Sequence, residues 1–258
     1  MDIVLMGDWK EKYIFNQNCK LYLPMHEWYD AAHTKVEDIS PQRNHCTVYG
    51  AVRQGEGFYF DGSDDYIADK DGRKILREGT KGVWHSVKLH DTLIHPYGSV
   101  QGTGTKLYFS NGNETPPKLT GILVFYPEFC PNITHLNCER NSISTLDVSN
   151  LTSLTVLSCD NNSISTLDVS NLTSLTRLSC YNNSISTLDV HLLSSLTNLR
   201  CQNNSMNQST VDTILCDMDA HGTSNGYIDI SGNNAAPSAT GVNCKNNLES
   251  RGWTVKTS

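Results

Sequence analysis

Through the second half of the chain, apolar positions recur in a fixed frame with a period of 21 residues. The successive units are ITHLNCERNSISTLDVSNLTS (133–153), LTVLSCDNNSISTLDVSNLTS (154–174), LTRLSCYNNSISTLDVHLLSS (175–195) and LTNLRCQNNSMNQSTVDTILC (196–216). They share the frame L-x-x-L-x-C-x-x-N-x-I-x-x-L-D-V. Alternation across Leu-x-Cys predicts a short strand, with Leu136 and Cys138 facing in and His135, Asn137 and Glu139 facing out. One unit cannot cover its own apolar face. Stacked units can, with strands about 4.8 Å apart in a parallel sheet. Ile143, Leu146 and Val148 then fill the core from the opposite wall.

Three polar or small positions repeat within this frame. Asn141, Asn162, Asn183 and Asn204 form a column where the chain leaves each strand. An amide there can donate and accept for backbone groups that lose their ladder partners. Cys138, Cys159, Cys180 and Cys201 form a second column and read as small buried apolar filler. In-register side chains pointing the same way are poorly placed to bridge. A metal or redox role is the competing reading. Asp147, Asp168 and Asp189 form a third column, read as acceptors of backbone N–H groups in their own turns. A calcium site competes there, but calcium needs six or more oxygens.

The frame matches the leucine-rich repeat pattern, in which Cys can replace a Leu. The short period and LDVS resemble leucine-rich repeats of bacterial surface proteins and some bacteriophage proteins. After Asn204 the pattern changes. STVDTILCDMDAHG predicts an amphipathic helix with Val211, Ile214, Leu215 and Met218 inward, Ser209 as N-cap and Gly222 as stop. In GYIDISGNN, Ile228, Ile230 and Asn233 reproduce L-x-C-x-x-N, which predicts one last strand. The tail NNLESRGWTVKTS, through Trp253 and Val255, is expected to close the open end. This ending resembles the caps of short leucine-rich arrays in phage and bacterial proteins.

Residues 1–130 carry no repeat. Short β-type runs (KLYLPM, CTVYGAV, GFYFDG, DDYIAD, GVWHSVKL, KLYFS, LTGILVFY) are separated by Gly, Asn, Asp and Pro, which predicts an antiparallel sandwich. LYLPMHEWYDAA, VEDISPQRNHCTVYGAV and GFYFDGSDDYI together resemble the opening of a laminin-G/concanavalin-like jelly roll. KLTGILVFYPEF resembles its closing strand. The expected fold is therefore mainly β, with a jelly-roll-like sandwich over 1–130. A leucine-rich solenoid follows over 131–258, with repeats at 133–216 and a helix-containing C-terminal cap at 217–258. Pro131 marks the junction. Asp61, Asp64 and Asp65 read as turn residues around Gly62. His85, His90 and His95, spaced by five, cannot share one face of a strand, which disfavours a metal triad.

Composition narrows the function. The 258 residues carry a net charge of −7 without a basic cluster, which disfavours nucleic acid and anionic lipid as general partners. No run is long enough to span a bilayer as a helix. The opening MDIVLMGDWK lacks the basic start and longer apolar core of a secretory signal, so a cytoplasmic or virion location is expected. Reduced cysteines fit that location. No cofactor or metal is implied: Cys19, Cys46, Cys130, Cys216 and Cys244 form no C-x-x-C pair. No H-E-x-x-H, G-x-S-x-G, P-loop or dinucleotide fingerprint occurs, so no catalytic residues are assigned.

What varies between the units is the outward face. Its columns are His135, Val156, Arg177 and Asn198, then Asn137, Ser158, Ser179 and Arg200, then Glu139, Asp160, Tyr181 and Gln202. Arg177, Tyr181 and Arg200 are the strongest candidates, because Tyr and Arg dominate contact energetics. The expected function is non-enzymatic binding or adhesion to a protein or glycan surface. The resemblance places it in a bacteriophage virion or tail, with other virion proteins among the candidate partners. A purely structural virion component, a bacterial surface adhesin and a carbohydrate-active enzyme are the alternatives.

Overall fold

The computed structural model describes residues 132–258 in full. Before them it describes the backbone of eleven strands, the bend at Ser63 and Asp64, and the side chains of Lys106 and Tyr108. The side chains of Asp61, Asp65, His85, His90 and His95, together with Gly62 and Pro131, lie outside the described residues.

The early strands are β1 (Cys19–Pro24), β2 (Lys35–Val36), β3 (Cys46–Tyr49), β4 (Val52–Gln54), β5 (Gly57–Asp61), β6 (Tyr66–Asp69), β7 (Lys74–Leu76), β8 (Lys81–His90), β9 (Tyr97–Gly102), β10 (Lys106–Tyr108) and β11 (Thr120–Val124). Strand β8 pairs antiparallel with β1, β5, β9 and β10. A separate antiparallel sheet runs β2-β3-β6-β7. The next two strands are β12 (His135–Asn137) and β13 (Ser142–Asp147). Strand β11 pairs parallel with both β9 and β13, and β10 pairs parallel with β12. These pairings do not reproduce a self-contained antiparallel sandwich over 1–130. Instead, β10 covers the edge that the first rung of a solenoid would otherwise leave open.

From β12 onward the frame becomes structure. Strands β12, β14 (Val156–Ser158), β15 (Arg177–Ser179) and β16 (Asn198–Arg200) pair parallel and in register, with Leu136, Leu157, Leu178 and Leu199 aligned. Those leucines and the four ladder cysteines are buried, as are Ile143, Leu146, Val148 and their repeats on the opposite wall. The threonines that precede the strands add a brace. Thr155 Oγ1 donates to Thr134 O and Thr176 Oγ1 to Thr155 O, both at 3.0 Å.

The Asn ladder works as its chemistry predicts. Asn183 Oδ1 accepts the Ile164 N–H at 2.9 Å, while its Nδ2 donates to Cys159 O and Cys180 O at 3.1 Å each. Asn162, Asn183 and Asn204 therefore each tie their own turn to the preceding one. A second ladder runs beside it. Asn161, Asn182 and Asn203 hold φ of 55°, 53° and 53°, the left-handed region that Asn tolerates. Asn182 Nδ2 donates to Asn161 Oδ1 and Asn203 Nδ2 to Asn182 Oδ1, each at 2.9 Å. In the next rung Gly232, at φ 79°, ends this column, because a Cβ there would meet Asn203 Oδ1.

The end of the solenoid departs from expectation in several places. Helix α1 spans Gln208–Ala220 and buries Val211, Ile214, Leu215 and Met218. Its N-cap is Asn207, which accepts from Thr210 N, rather than Ser209. Gly222 follows the C-cap with φ 68°. Strand β17 (Tyr227–Asp229) is the expected further rung. Its ladder residue is Asn234, not Asn233: Asn234 Nδ2 donates to Cys201 O at 2.9 Å, and its Oδ1 accepts from Met206 N. The turn after β17 is one residue longer, which moves the amide along by one. The tail then forms helix α2 (Ala239–Ser250) and strand β18 (Thr254–Lys256), which pairs parallel with β17. Trp253 lies against Gly226 and donates from Nε1 to Thr223 O at 2.8 Å.

The expectation of reduced cysteines is corrected for one pair. Cys216 on α1 and Cys244 on α2 form a disulfide. The helices already face each other there. Asp212 of α1 accepts from the Ser238 N–H at 2.8 Å, and Arg251 pairs with Asp219 at 2.6 Å. Cys138, Cys159, Cys180 and Cys201 are free and buried.

Candidate binding face of the sheet

Alternation within each strand puts the first and third residues on the solvent side of the sheet. In-register stacking turns those positions into columns. One runs Lys106, His135, Val156, Arg177, Asn198, Tyr227 and Thr254, and the next runs Tyr108, Asn137, Ser158, Ser179, Arg200, Asp229 and Lys256. The face predicted from the repeats therefore extends by one strand on one side and by two on the other.

The proposed contact residues divide into three groups. Arg177 and Arg200 are exposed. His135, Asn137, Glu139, Val156, Tyr181, Asn198 and Gln202 are partly buried. His135 hydrogen-bonds through Nδ1 with Thr134 Oγ1, and burial, with Lys106 beside it, holds its pKa below the usual histidine value. Asn137 Oδ1 accepts the Glu139 N–H at 3.0 Å, so part of this side chain is committed to its own turn.

Asp160 forms the third group and corrects the sequence reading. It is 2% exposed and displays no carboxylate to a partner. Its Oδ1 accepts from Ser179 Oγ at 2.9 Å and its Oδ2 from Asn161 Nδ2 at 2.8 Å. Burial, followed by the Asp160 carboxylate, pushes the Tyr181 pKa up. The strand ends at Ser158. Strict alternation no longer applies two residues later, where the chain has begun its turn. Asp160 is thus an organiser that fixes the Ser179 and Asn161 side chains.

Tyr227, Asp229 and Lys256 were not singled out from sequence. The guanidinium of Arg200 lies 5.1 Å from the Tyr227 ring centroid, and Lys256 Nζ lies 5.5 Å from the same centroid. Both distances fall within cation–π range. Asp229 sits between these cations in register but is buried. Its Oδ1 accepts from Ser231 N and Oγ, and its Oδ2 from the Tyr227 hydroxyl at 3.2 Å. A signal for these residues existed. Placing Ile228 and Val255 inward makes Tyr227, Asp229, Thr254 and Lys256 outward by alternation.

The opposite side of the solenoid is built differently. Asp147, Asp168 and Asp189 each accept a backbone N–H two residues on, from Ser149, Ser170 and His191. Hydrogen bonds from the Ser170 side chain and then its backbone hold the Asp168 pKa below the usual carboxylate value. An open cavity of about 690 Å³ lies beside these turns, lined by Thr187, Asp189, His191, Thr210, Thr213 and Asp217 among others. His191 Nδ1 stands 3.3 Å from Asp217 Oδ1 there. Among the described residues, no helix is long and apolar enough to cross a membrane.

Burial pushes the ladder thiols up, that of Cys180 to about 12 with Asp160 as the second cause. Such thiols are poor nucleophiles and poor metal ligands at neutral pH.

No protein-family model matches the chain. No curated protein matches it either. Among solved structures, the chain is similar to the functional domain of InlJ from Listeria monocytogenes, which includes a cysteine ladder, at 27% identity and a TM-score of 0.35. That similarity covers 50% of this chain and 35% of the other.

Proposed function

We propose that this is a non-enzymatic binding protein that recognises a protein or glycan surface through the solvent face of its parallel sheet. The observation that carries the reading is a contrast within one scaffold. The buried frame is copied from unit to unit. The outward positions of the same strands differ, and they include Arg177, Arg200 and Lys256, which are exposed and have no ion-pair partner among the described residues. A solenoid sheet offers such columns as a continuous contact surface. The finer reading, from resemblance, is a protein of a bacteriophage virion or tail.

A surface-displayed adhesin is the second reading, and one observation favours it. The Cys216–Cys244 disulfide between α1 and α2 suits an oxidising environment. The test is binding of the intact chain to a glycan array and to whole bacterial cells, with and without calcium, beside an Arg177→Ala/Tyr181→Ala variant. Loss in the variant supports recognition by the sheet face. Undiminished binding moves the site elsewhere. No binding to any surface favours a structural virion component.

A further inference from the structure

We infer that the far end of the sheet face, around Arg200, Tyr227 and Lys256, binds an acidic polysaccharide through its carboxylate or sulfate groups. This rests on the sheet face being the recognition surface and names the chemistry it takes.

Charge is the first argument. Arg177, Arg200 and Lys256 are exposed, whereas the carboxylates among them, Asp160 and Asp229, are buried at 2% and 8% exposure. Both acids spend their oxygens on Ser179, Asn161, Tyr227 and Ser231. The charge that meets solvent here is positive, on a chain whose net charge is −7. Preorganisation is the second argument. One ring, Tyr227, gathers the guanidinium of Arg200 and the ammonium of Lys256, and Asp229 fixes that ring through its hydroxyl. Two cations held in place lose less side-chain entropy on meeting an anion.

The rest of the face decides between polyanions. A protein partner usually docks on large apolar or aromatic anchors at the centre of its interface. The exposed large apolar residues among those described are Leu192 and Val242, and neither lies on the sheet. The Tyr227 ring is occupied by its two cations. What surrounds them is amide and hydroxyl: Asn198, Gln202, Ser231 and Thr254. Asn198 Oδ1 and Gln202 Oε1 are buried and have no hydrogen-bond partner among the described residues. A flip of either amide would bring that oxygen out of its unpartnered site as an acceptor for a sugar hydroxyl. Cations for the acid groups and acceptors for the hydroxyls together fit a hydroxylated polyanion.

The experiment titrates the full chain with dextran sulfate, polygalacturonate, neutral dextran and poly-glutamate, at low and at physiological salt. Wild type is compared with Arg200→Ala/Lys256→Ala, Arg200→Lys and the off-face control Lys245→Ala. Melting temperatures confirm that each variant is folded. Binding to dextran sulfate or polygalacturonate but not to neutral dextran is expected, with a loss of about tenfold or more in the double variant and a shallower salt dependence. Lys245→Ala and Arg200→Lys should retain most of it. Equal binding by the folded double variant overturns the assignment, as does equal binding to neutral dextran. Binding to poly-glutamate alone replaces the polysaccharide with an acidic protein. If no polyanion binds while cells still bind in an Arg177- and Tyr181-dependent way, the anion chemistry fails and the binding face stands. If cells do not bind either, both fail.

Discussion

Replacing Asn204 by Ala tests how the solenoid is held together. Its side chain is 2% exposed. Oδ1 accepts the Ile185 N–H at 3.0 Å, and Nδ2 donates to Cys180 O at 3.1 Å and Cys201 O at 2.9 Å. The three partners do not lose equally. Cys180 O keeps the Asn183 amide and Cys201 O keeps the Asn234 amide, so each carbonyl loses one of two donors. The Ile185 N–H is left with none. An orphaned buried donor costs about 1–3 kcal/mol and each of the two lost net hydrogen bonds about 0.5–1.5, so the sum is about 2–6 kcal/mol, centred near 4. The assay is amide hydrogen exchange of the intact chain, followed for the segment containing Ile185, with a urea titration alongside. Exchange there should quicken by about a hundredfold or more, the equivalent of such a loss. Asn204→Asp should be worse at neutral pH, since it replaces the two N–H donors of Nδ2 with one anionic oxygen that faces the Cys180 and Cys201 carbonyls. A loss of less than about 1 kcal/mol in Asn204→Ala would refute the reasoning, because the Ile185 N–H would then have another partner.

Three further outcomes follow from the same geometry. Asn203, at φ 53°, should cost about 1–2 kcal/mol when changed to Ala and little when changed to Gly, measured by urea unfolding, because only the former adds left-handed strain. The Cys216→Ala/Cys244→Ala variant should lose roughly 3.5 kcal/mol in the cap, from a chain separation of 28 residues, and reductant should lower the melting temperature of wild type but not of the variant. The ladder thiols titrate later in the folded than in the unfolded chain. Their contribution is therefore full below the ordinary thiol value of 9.0 and is lost as pH rises towards about 12 for Cys180. The urea midpoint should fall between pH 8.5 and about 10.5, less so in Cys180→Ala, and native protein should resist thiol reagents at neutral pH.

The solenoid was legible wherever its period repeats. Leu-x-Cys, the inner Asn and the turn Asp each recur at 21 residues, and each performs its predicted task. Reading failed where local geometry breaks the period. Asp160 sits beyond the strand, so alternation misplaced it. The longer turn after β17 shifted the ladder from Asn233 to Asn234. Helix α2 has a weak apolar pattern, with only Gly241 and Leu248 buried, and left little periodicity to find. Its capping signal, Ser238 after Pro237, was present in the sequence. The disulfide joins two helices at an uneven spacing that carries no repeat signal. Of the candidate face, the columns were legible. The clustering of Arg200 and Lys256 on Tyr227 was not, because it depends on rungs contributed by the cap.

The most direct test of the account compares two folded variants of the full chain for binding to whole bacterial cells. One carries Arg177→Ala, Arg200→Ala and Lys256→Ala on the sheet face, and the other carries Thr187→Ala, His191→Ala and Leu192→Ala on the opposite side. The account predicts that the first loses binding and the second keeps it. Binding lost only in the second would place recognition on the turns and the cavity beside α1, and would contradict the sheet face as the site.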